Sequence, residues 1–456
     1  MTTIADIVVG PTRGWSEHRL AGGTMRFKGH VHVGMDTLEG AEAAAHVAER
    51  LAGARDDAGL GATLASLHGH WAFVWTEPTR VIAGVDRVRS TALLFATRDG
   101  RTLIDDRGRR LVERLGLGPD AIDRLQTLAL AMAGYTIGDG TLYTPIRQLR
   151  PGEALVVDAG GARVSRWFVY DAWTIMPKAD PDGEMDALLT MLARRLARAA
   201  GGRRIAVPLS AGLDSRFVAS GLKMAGYDNV RLFSYGRAGN HEAVAAEAIA
   251  ARLGYPWTFV PFTTATQRAM YADPAHGAHW AEADTLTSVP FVQDWTAIRA
   301  LLASGVIDAD TIVVNGNSGD YIAGAHAPAK LIDLAAPADP AERARIAVGA
   351  VVAKHFRLWD ALATGPNDAA IAALLAGEAR LAGCGFAPDQ ALHGIHEMLE
   401  YQDRQSKYVV SGQRTYEGLG LAWRLPLWDD EIIEFFRNAA PELKRGQALY
   451  RRSLER

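Results

Sequence analysis

The sequence predicts two domains, an α+β layered domain over residues 1–178 and an α/β doubly wound parallel sheet with a helical C-terminal cap over residues 179–456. The first part contains short alternating or apolar runs that are bounded by turn residues, which is typical of strands. In the second part, apolar strands alternate with helical patterns, which favours parallel pairing and right-handed crossovers. A polar stretch with Pro and Gly at 176–183 separates the two patterns.

The individual elements follow from hydrophobic periodicity. In the first domain, we predict strands at 25–27, 70–75, 81–83, 92–95 and 153–157 and helices at 40–52 and 122–133. In the second domain, we predict helix 184–199, strand 205–209, helix 215–225, strand 230–235, helix 242–253 and strands 257–260 and 311–314. Residues 341–456 have mostly helical spacing and are predicted to form the cap.

Composition excludes several classes of protein. The chain has 49 Lys plus Arg and 52 Asp plus Glu, a net charge of −3, so it has no global basic field that would hold nucleic acid or an anionic membrane. Its single cysteine, Cys384, excludes an intrachain disulfide, a thiolate zinc cluster and an iron–sulfur centre. No apolar run reaches the length of a membrane span, and we expect a cytoplasmic protein.

The segment 208–216, Pro-Leu-Ser-Ala-Gly-Leu-Asp-Ser-Arg, lies between a predicted buried strand and a helix. Small residues at such a junction let backbone N–H groups and the N-terminus of the helix converge on a phosphate. The segment lacks the spacing and the lysine of a Walker loop. A plain strand-to-helix turn with an N-capping Asp or Ser is the simpler alternative.

A second loop of the same kind follows the predicted strand 311–314 and reads Asn-Gly-Asn-Ser-Gly-Asp over 315–320. Asp214 and Asp320 each follow a predicted parallel strand, at the rim where a doubly wound sheet binds its ligand. Magnesium on a triphosphate takes one or two carboxylates together with phosphate oxygens and water. The pair therefore predicts a magnesium site.

The first loop resembles the S-G-G-x-D-S loop of the ATP pyrophosphatase superfamily, with Ala211 in place of the first glycine. The second loop resembles the G-x-G-S/G-D element of the asparagine synthetase-like branch. Segments 233–236 (Phe-Ser-Tyr-Gly), 240–242 (Asn-His-Glu), 253–257 (Leu-Gly-Tyr-Pro-Trp) and 424–429 (Arg-Leu-Pro-Leu-Trp-Asp) continue the resemblance, which covers most of residues 200–440. It implies an adenine nucleotide α-hydrolase-like fold.

This resemblance implies ATP and Mg²⁺ as cofactors, with Asp214 and Asp320 as metal ligands and catalytic residues. It implies a ligase that adenylates a substrate carboxylate, releases pyrophosphate and passes the acyl group to an amine or ammonia. The implied nucleotide site consists of Leu209, Ser210, Ala211, Gly212, Asp214, Ser215, Phe233, Ser234, Tyr235, Gly236, Gly316, Asn317, Ser318 and Gly319.

The catalytic cation and the general base are less well defined by the resemblance. The family carries a lysine ahead of its final helix, which makes Lys444 and Arg404 candidates here, whereas the later family lysine aligns with Leu449. Family members carry Glu or Tyr at the position of Asn317, and an asparagine cannot be a general base. We interpret Glu400 and Asp403 as partners on a helix surface.

The first domain resembles a class II glutamine amidotransferase domain of the Ntn type, through segments 67–74, 83–87, 92–95 and 141–153. Active members use an N-terminal cysteine whose own amine is the base, whereas this chain has Thr2. The R-G and N-G-E elements that bind glutamine are not visible either. We therefore expect a domain without glutaminase activity, as in β-lactam and carbapenam synthetases.

The resemblance is strongest to members from bacterial surface-polysaccharide and secondary-metabolite clusters, which implies a sugar acid or another small biosynthetic acid and an amine as substrates. A peptide macrolactam, as in lasso-peptide cyclases, is a second substrate class. A catalytically idle nucleotide-binding scaffold is the competing hypothesis, motivated by Thr2, Asn317 and Leu449. We expect no nucleic acid or membrane partner, and a homodimer is a candidate assembly.

Overall fold

A computed structural model of the chain describes residues 5–10, 13–54, 56–335 and 337–456. Its strands are β1 (Ala5–Ile7), β2 (Ser16–Leu20), β3 (Gly23–Val33), β4 (Asp36–Glu39), β5 (Trp71–Thr76), β6 (Val81–Val85), β7 (Leu94–Arg98), β8 (Arg101–Asp105), β9 (Arg147–Gln148), β10 (Glu153–Asp158), β11 (Gly161–Arg166), β12 (Ile205–Pro208), β13 (Val230–Gly236), β14 (Trp257–Pro261), β15 (Ile312–Val314) and β16 (Ala422–Arg424).

The helices complete the element order. They are α1 (Gly40–Leu51), α2 (Asp57–Ala65), α3 (Gly108–Leu115), α4 (Arg124–Ala133), α5 (Pro181–Ala200), α6 (Leu213–Met224), α7 (His241–Leu253), α8 (Thr264–Ala272), α9 (Pro274–Ala283), α10 (Trp295–Ala303), α11 (Gly319–Ile322), α12 (Ala329–Asp333), α13 (Pro340–His355), α14 (Gly365–Leu381), α15 (Leu392–Glu400), α16 (Arg414–Gly418), α17 (Asp430–Arg437), α18 (Pro441–Lys444) and α19 (Ala448–Glu455). A π-helical segment, Tyr401–Val409, follows α15 directly.

The N-terminal half contains two sheets. The larger sheet has the order β11-β10-β6-β5-β3-β2, with β4 paired to β3, and is antiparallel throughout. The smaller sheet has the order β1-β8-β7-β9, with β1 parallel to β8. Alternate side chains of a strand point to opposite faces, and in β5 Phe73 packs towards α1 and α2 whereas Val74 packs towards the smaller sheet. Both faces of the larger sheet are therefore covered.

The C-terminal half is built on a five-stranded sheet of order β14-β13-β12-β15-β16, in which all four pairings are parallel. This confirms the predicted combination of helices with a parallel sheet. The chain runs outwards from β12 to β14 and then returns to β15 on the other side of β12. The strand order therefore reverses between β12 and β15, the position at which open α/β sheets bind ligands.

Two features of the C-terminal quarter were not predicted from the sequence, which indicated a mostly helical cap. Residues 422–424 form β16, which pairs with β15 at the sheet edge through Trp423 and Val313. Three residues are too few for periodicity to reveal a strand. The second difference is that Glu400 and Asp403 are buried, each with about 1% of its surface exposed, and do not lie on a helix surface.

Buried polar contacts join the two halves of the chain. Lys407 Nζ lies 2.7 Å from Asp403 Oδ1 and donates to the carbonyl of Thr136 at 2.7 Å. The amide of Gly138 donates to the same carboxylate at 2.9 Å. At separate contacts, Lys28 pairs with Glu417 at 2.6 Å. The predicted boundary at 178 lies in the segment without regular structure between β11 and α5.

Within these described ranges, no helix combines the length and apolar character needed to cross a bilayer.

We expect Lys407→Met to reduce the free energy of unfolding by ~3–5 kcal/mol, because it leaves the Asp403 carboxylate buried without its cation. Chemical denaturation measures this change. Lys223→Met is the matched control, since the 3.4 Å pair of Lys223 with Asp228 is exposed and should contribute at most about 1 kcal/mol. Equal losses in the two variants would contradict a structural role for the buried pair.

Candidate functional site

A cleft of about 650 Å³ opens at the carboxyl ends of the central strands. The predicted site residues that line it are Leu209, Ser210, Gly212, Asp214, Ser215, Phe233, Ser234, Tyr235, Gly236, Gly316, Asn317, Ser318, Asp320 and Arg404. The lining also includes Arg237, Glu242, Phe291, Gln293, Asp294, Asn315, His326, Tyr408 and Val409. The cleft therefore collects both predicted loops and one face of the π-helical segment.

The first loop connects β12 to α6 and is held by its own serine hydroxyls. The amide of Ser210 donates to Ser215 Oγ at 3.0 Å, and the amide of Gly212 donates to Ser210 Oγ at 3.1 Å. The amide of Ala211 donates to Glu242 Oε2 at 3.0 Å, although Ala211 is not part of the cleft lining. The Glu242 carboxylate thus already accepts a hydrogen bond from the Ala211 amide, one of the N–H groups that the sequence predicts to bind a phosphate.

The second loop connects β15 to α11 and brings Asp320 next to Asp214. The amide of Asp320 donates to Asp214 Oδ2 at 2.9 Å, across the neighbouring strands β12 and β15. Ser318 adopts a left-handed conformation with φ of 64° just before α11. The structure therefore brings the two predicted carboxylates to one side of one cleft.

Glycines make this close approach of the two loops feasible. A Cβ atom on Gly316 would lie 2.8 Å from the backbone carbon of Asp214, and one on Gly319 would lie 2.7 Å from Asp214 Oδ1. Both distances are shorter than non-bonded contacts allow. Gly319 is therefore a packing residue for Asp214 and does not itself line the cleft.

The two carboxylates have opposite pKa shifts. Burial and the charge of Asp320 raise the pKa of Asp214 to about 7. Burial also raises the pKa of Asp320, but the contact with His326 outweighs it and the net shift is downward. His326 Nε2 lies 3.3 Å from Asp320 Oδ2. The difference arises because only Asp320 has a basic side chain beside it.

The donors at this position suit a divalent cation. Asp214 Oδ1 is buried and has no hydrogen-bond partner, which is costly for a charged oxygen. A cation between Asp214 and Asp320 would satisfy this oxygen and remove the repulsion that raises the pKa of Asp214. Two carboxylates are also the protein ligands that Mg²⁺ commonly uses beside phosphate oxygens. The residues present therefore fit the predicted magnesium ion.

Glu400, at the end of α15, is a fully buried carboxylate with five side-chain donors around it, of which Arg404 is the most distant at 3.4 Å. His326 Nδ1 lies 2.5 Å and Gln405 Nε2 2.9 Å from Oε1. Lys354 Nζ lies 3.2 Å and His355 Nε2 2.9 Å from Oε2. Burial raises the pKa of Glu400, but the bonds from His326 and His355 outweigh it and hold the pKa well below its usual range. Glu400 is therefore ionised and fixes His326 at the cleft.

Another buried network supports the opposite side of the cleft. Asp294 Oδ1 accepts from the hydroxyl of Tyr235, and Asp294 Oδ2 accepts from the hydroxyl of Tyr416. The side chain of Asn315 in turn donates to the Tyr416 hydroxyl at 2.8 Å. Burial raises the pKa of Asp294. Sequence spacing gave no signal for this network, because its members come from four separate elements.

Of the two predicted catalytic cations, the structure places only Arg404 in the cleft. Lys444 is fully buried, and its Nζ lies 2.6 Å from Glu397 Oε2 away from the cleft lining. Its side chain points inwards because its backbone packs against Gly324, where a Cβ atom would lie 2.5 Å from Lys444 Cβ. The prediction that Lys444 faces the substrate is therefore corrected to a buried ion pair.

Thr2 and Leu449 are two positions at which the sequence lacks a catalytic side chain of the family it resembles. Thr2, which replaces the amidotransferase cysteine, lies outside the described residues. Leu449, which replaces the later family lysine, is fully buried in the core of the C-terminal half.

A parallel sheet with two acid-bearing loops at its switch point defines the chain as a ligand-binding α/β protein. The asparagine synthase family model matches residues 187–456, more than half of the chain. The chain therefore belongs to the asparagine synthase family. Membership confirms the resemblance found in the sequence and indicates an ATP-using carbon–nitrogen ligase.

Three solved structures with weak overall similarity were also found. The NH3-dependent NAD synthetase of Campylobacter jejuni is 12% identical over 32% of this chain and 60% of its own, with a TM-score of 0.23. The glutamine PRPP amidotransferase of B. subtilis is 12% identical over 53% of this chain and 72% of its own, with a TM-score of 0.23. A structure described as the allosteric regulatory enzyme of purine biosynthesis is 11% identical over 67% of this chain and 58% of its own, also with a TM-score of 0.23. The search of curated proteins gave no match.

We expect Gly316→Ala to weaken binding of magnesium-ATP at least about tenfold, the equivalent of ~1.4 kcal/mol. The added Cβ must displace the backbone of Asp214, which lies 2.8 Å away. Isothermal titration calorimetry measures the affinity. Gly349→Ala in α13 is the control, because its Cβ meets nothing within 4 Å, and it should leave affinity unchanged. Unchanged binding in Gly316→Ala would show that the loop contact is not critical.

Proposed function

We propose that the protein is an AMP-forming ligase that activates a carboxylic acid with ATP and joins it to an amine or ammonia. The observation that carries the proposal is the meeting of Asp214 and Asp320 at one rim of the cleft, with Asp214 Oδ1 buried and unpartnered. Membership of the asparagine synthase family supports the same chemistry. The pathway we propose is natural-product or surface-polysaccharide biosynthesis.

The first loop would hold the phosphates of ATP. The amide of Ala211, which donates to Glu242 at 3.0 Å, would donate to a phosphate oxygen once Glu242 moves aside. The N-terminus of α6 follows at Leu213 and adds its dipole, which favours an anion at this end. The nucleoside would be bordered by Phe233, Ser234 and Tyr235, because these residues line the cleft at the carboxyl end of the adjacent strand β13.

Asp214 and Asp320 would hold Mg²⁺. When bound, the ion would neutralise the charge that develops on the leaving pyrophosphate. In this step an oxygen of the substrate carboxylate attacks the α-phosphorus, a new C–O–P link forms, and the bond from the α-phosphorus to the bridging oxygen breaks. Activation is required because oxide is too poor a leaving group for direct attack by an amine.

The amine then attacks the acyl carbon and releases AMP. The side-chain oxygen of Asn317 lines the cleft and can accept a hydrogen bond that orients the amine. It cannot remove a proton from the amine, because an amide has no basic site at neutral pH. Orientation alone is therefore the role that we propose for Asn317.

We propose that residues 1–178 form an amidotransferase-like domain of the Ntn type without glutaminase activity. The larger and smaller sheets face each other through a shared apolar cluster, with helices α1 and α2 on one outer side and α3 on the other. This packing supports the proposal. Nitrogen would then come from a free amine or from ammonia in solution.

We expect Asp214→Asn and Asp320→Asn each to lower ATP–pyrophosphate exchange about 10²–10³-fold, the usual effect of losing one electrostatic stabiliser. Exchange would be measured with a panel of carboxylic acids and Mg²⁺, and EDTA should abolish it. Asp228→Asn, on an exposed residue with an 83% accessible side chain, is the control. A protein that binds no magnesium-ATP and exchanges with no acid would instead be the idle scaffold.

We expect the protein to release no glutamate from glutamine, with or without its other substrates, because the N-terminal cysteine is replaced by Thr2. Enzymatic determination of glutamate measures this activity. Ammonium chloride or an amine should support AMP formation where glutamine does not. Glutamate release at a rate that matches AMP formation would establish an active glutaminase and overturn this part of the proposal.

A further inference from the structure

The wall of the cleft opposite the first loop has a composition that constrains the acid substrate. We call it the acceptor wall and define it as Arg404, Tyr408, Val409 and Phe291, all of which line the cleft. Three of these residues lie in the π-helical segment Tyr401–Val409. Because each turn of a π-helix takes more residues than a turn of an α-helix, positions 404, 408 and 409 share one face. Nine consecutive π-helical residues are rare, and such segments occur frequently at functional sites.

The opposite face of this segment is anchored. Asp403 and Lys407 are buried and pair with each other at 2.7 Å. The carbonyl of Lys407 accepts a hydrogen bond from the hydroxyl of Ser288 at 2.7 Å, and Gln402 accepts one from Arg166 at 2.6 Å. The acceptor wall is therefore held in position by buried bonds before any substrate arrives.

Arg404 has binding capacity to spare. Within the described part of the chain, its one polar side-chain contact is Nη1 to Glu400 Oε1, at a long 3.4 Å. Glu400 Oε1 is already hydrogen-bonded to His326 and Gln405. A guanidinium has five N–H donors and binds a carboxylate through two of them. Its side chain is 30% exposed and can reach an anion in the cleft.

The remainder of the acceptor wall is aromatic and apolar. The rings of Phe291 and Tyr408 meet edge to face with centroids 5.3 Å apart, and Val409 lies beside Tyr408. Both aromatic rings are partly exposed towards the cleft. The two rings form an angled apolar corner, in which a planar group can stack on one ring and meet the edge of the other.

We propose that the acid substrate is a carboxylic acid with an aromatic or other planar apolar body. Arg404 binds its carboxylate, and Tyr408 and Phe291 contact its body. The carboxylate then shares the cleft with the proposed metal ligands, because Arg404, Asp214 and Asp320 all line it. The reaction of the bound acid rests on the proposed ligase function, whereas binding of the acid at the acceptor wall does not.

The test compares phenylacetate, glucuronate and aspartate with the full-length protein, magnesium and ATP. We expect kcat/KM for ATP–pyrophosphate exchange to be at least about tenfold higher with phenylacetate than with either other acid, in line with the selectivity of apolar pockets. Arg404→Gln should raise KM for phenylacetate more than it lowers kcat, and Arg404→Lys should recover part of the loss. Arg345→Gln, at an exposed helix position, is the control.

Direct binding separates this inference from the ligase proposal. Calorimetric titration of phenylacetate into protein with magnesium and a non-hydrolysable ATP analogue should show binding that Arg404→Gln and Tyr408→Ala weaken. Binding of phenylacetate without exchange would refute the ligase but support the acceptor wall. Best exchange with aspartate or glucuronate, no binding of phenylacetate, or binding that is indifferent to Arg404 would each overturn the inference.

Discussion

The repulsion between Asp214 and Asp320 is the interaction on which the rest of the site depends. Parallel pairing of β12 with β15 fixes the two loops side by side, and the amide of Asp320 donates directly to the Asp214 carboxylate. The fold thus places two like charges in a partly dry environment, where each disfavours the ionisation of the other. A ligand that carries a divalent cation would relieve this repulsion, which is the physical basis of the magnesium site that we propose.

The opposite pKa shifts of Asp214 and Asp320 have their cause in the side chains that lie behind the cleft. Asp320 has His326 beside it, and His326 is held by Glu400, whereas the buried Asp214 Oδ1 has no hydrogen-bond partner. The negative charge is therefore concentrated on Asp320, the more exposed carboxylate, with a side chain 49% accessible. An incoming cation would meet Asp320 first and draw Asp214 into its ionised form. The five donors around Glu400 hold His326 in this arrangement.

The sequence predicted the parts of the fold that depend on local pattern. Alternating strands and helices predicted the parallel sheet, and small residues after β12 and β15 predicted the two loops, because these signals occupy short continuous segments. Lys444 and β16 were not predicted correctly, since their placement depends on contacts with Gly324 and β15 that no local pattern encodes. The π-helical segment has the composition of an ordinary helix, and only tertiary contacts of Asp403 and Lys407 distinguish it.

The contacts of Asp403 and Lys407 give the N-terminal half a structural role at the cleft that is independent of any glutaminase activity. Gly138 and Thr136, from the N-terminal half, supply an N–H donor to Asp403 and a carbonyl acceptor to Lys407. Without them, two charged groups in the π-helical segment would lose buried hydrogen bonds, each worth a few kcal/mol when the alternative is no partner. The segment would then be free to return to α-helical geometry, which would keep Arg404 and Tyr408 on one face but rotate Val409 away from it. The N-terminal half therefore shapes the acceptor side of the cleft even where it hydrolyses nothing.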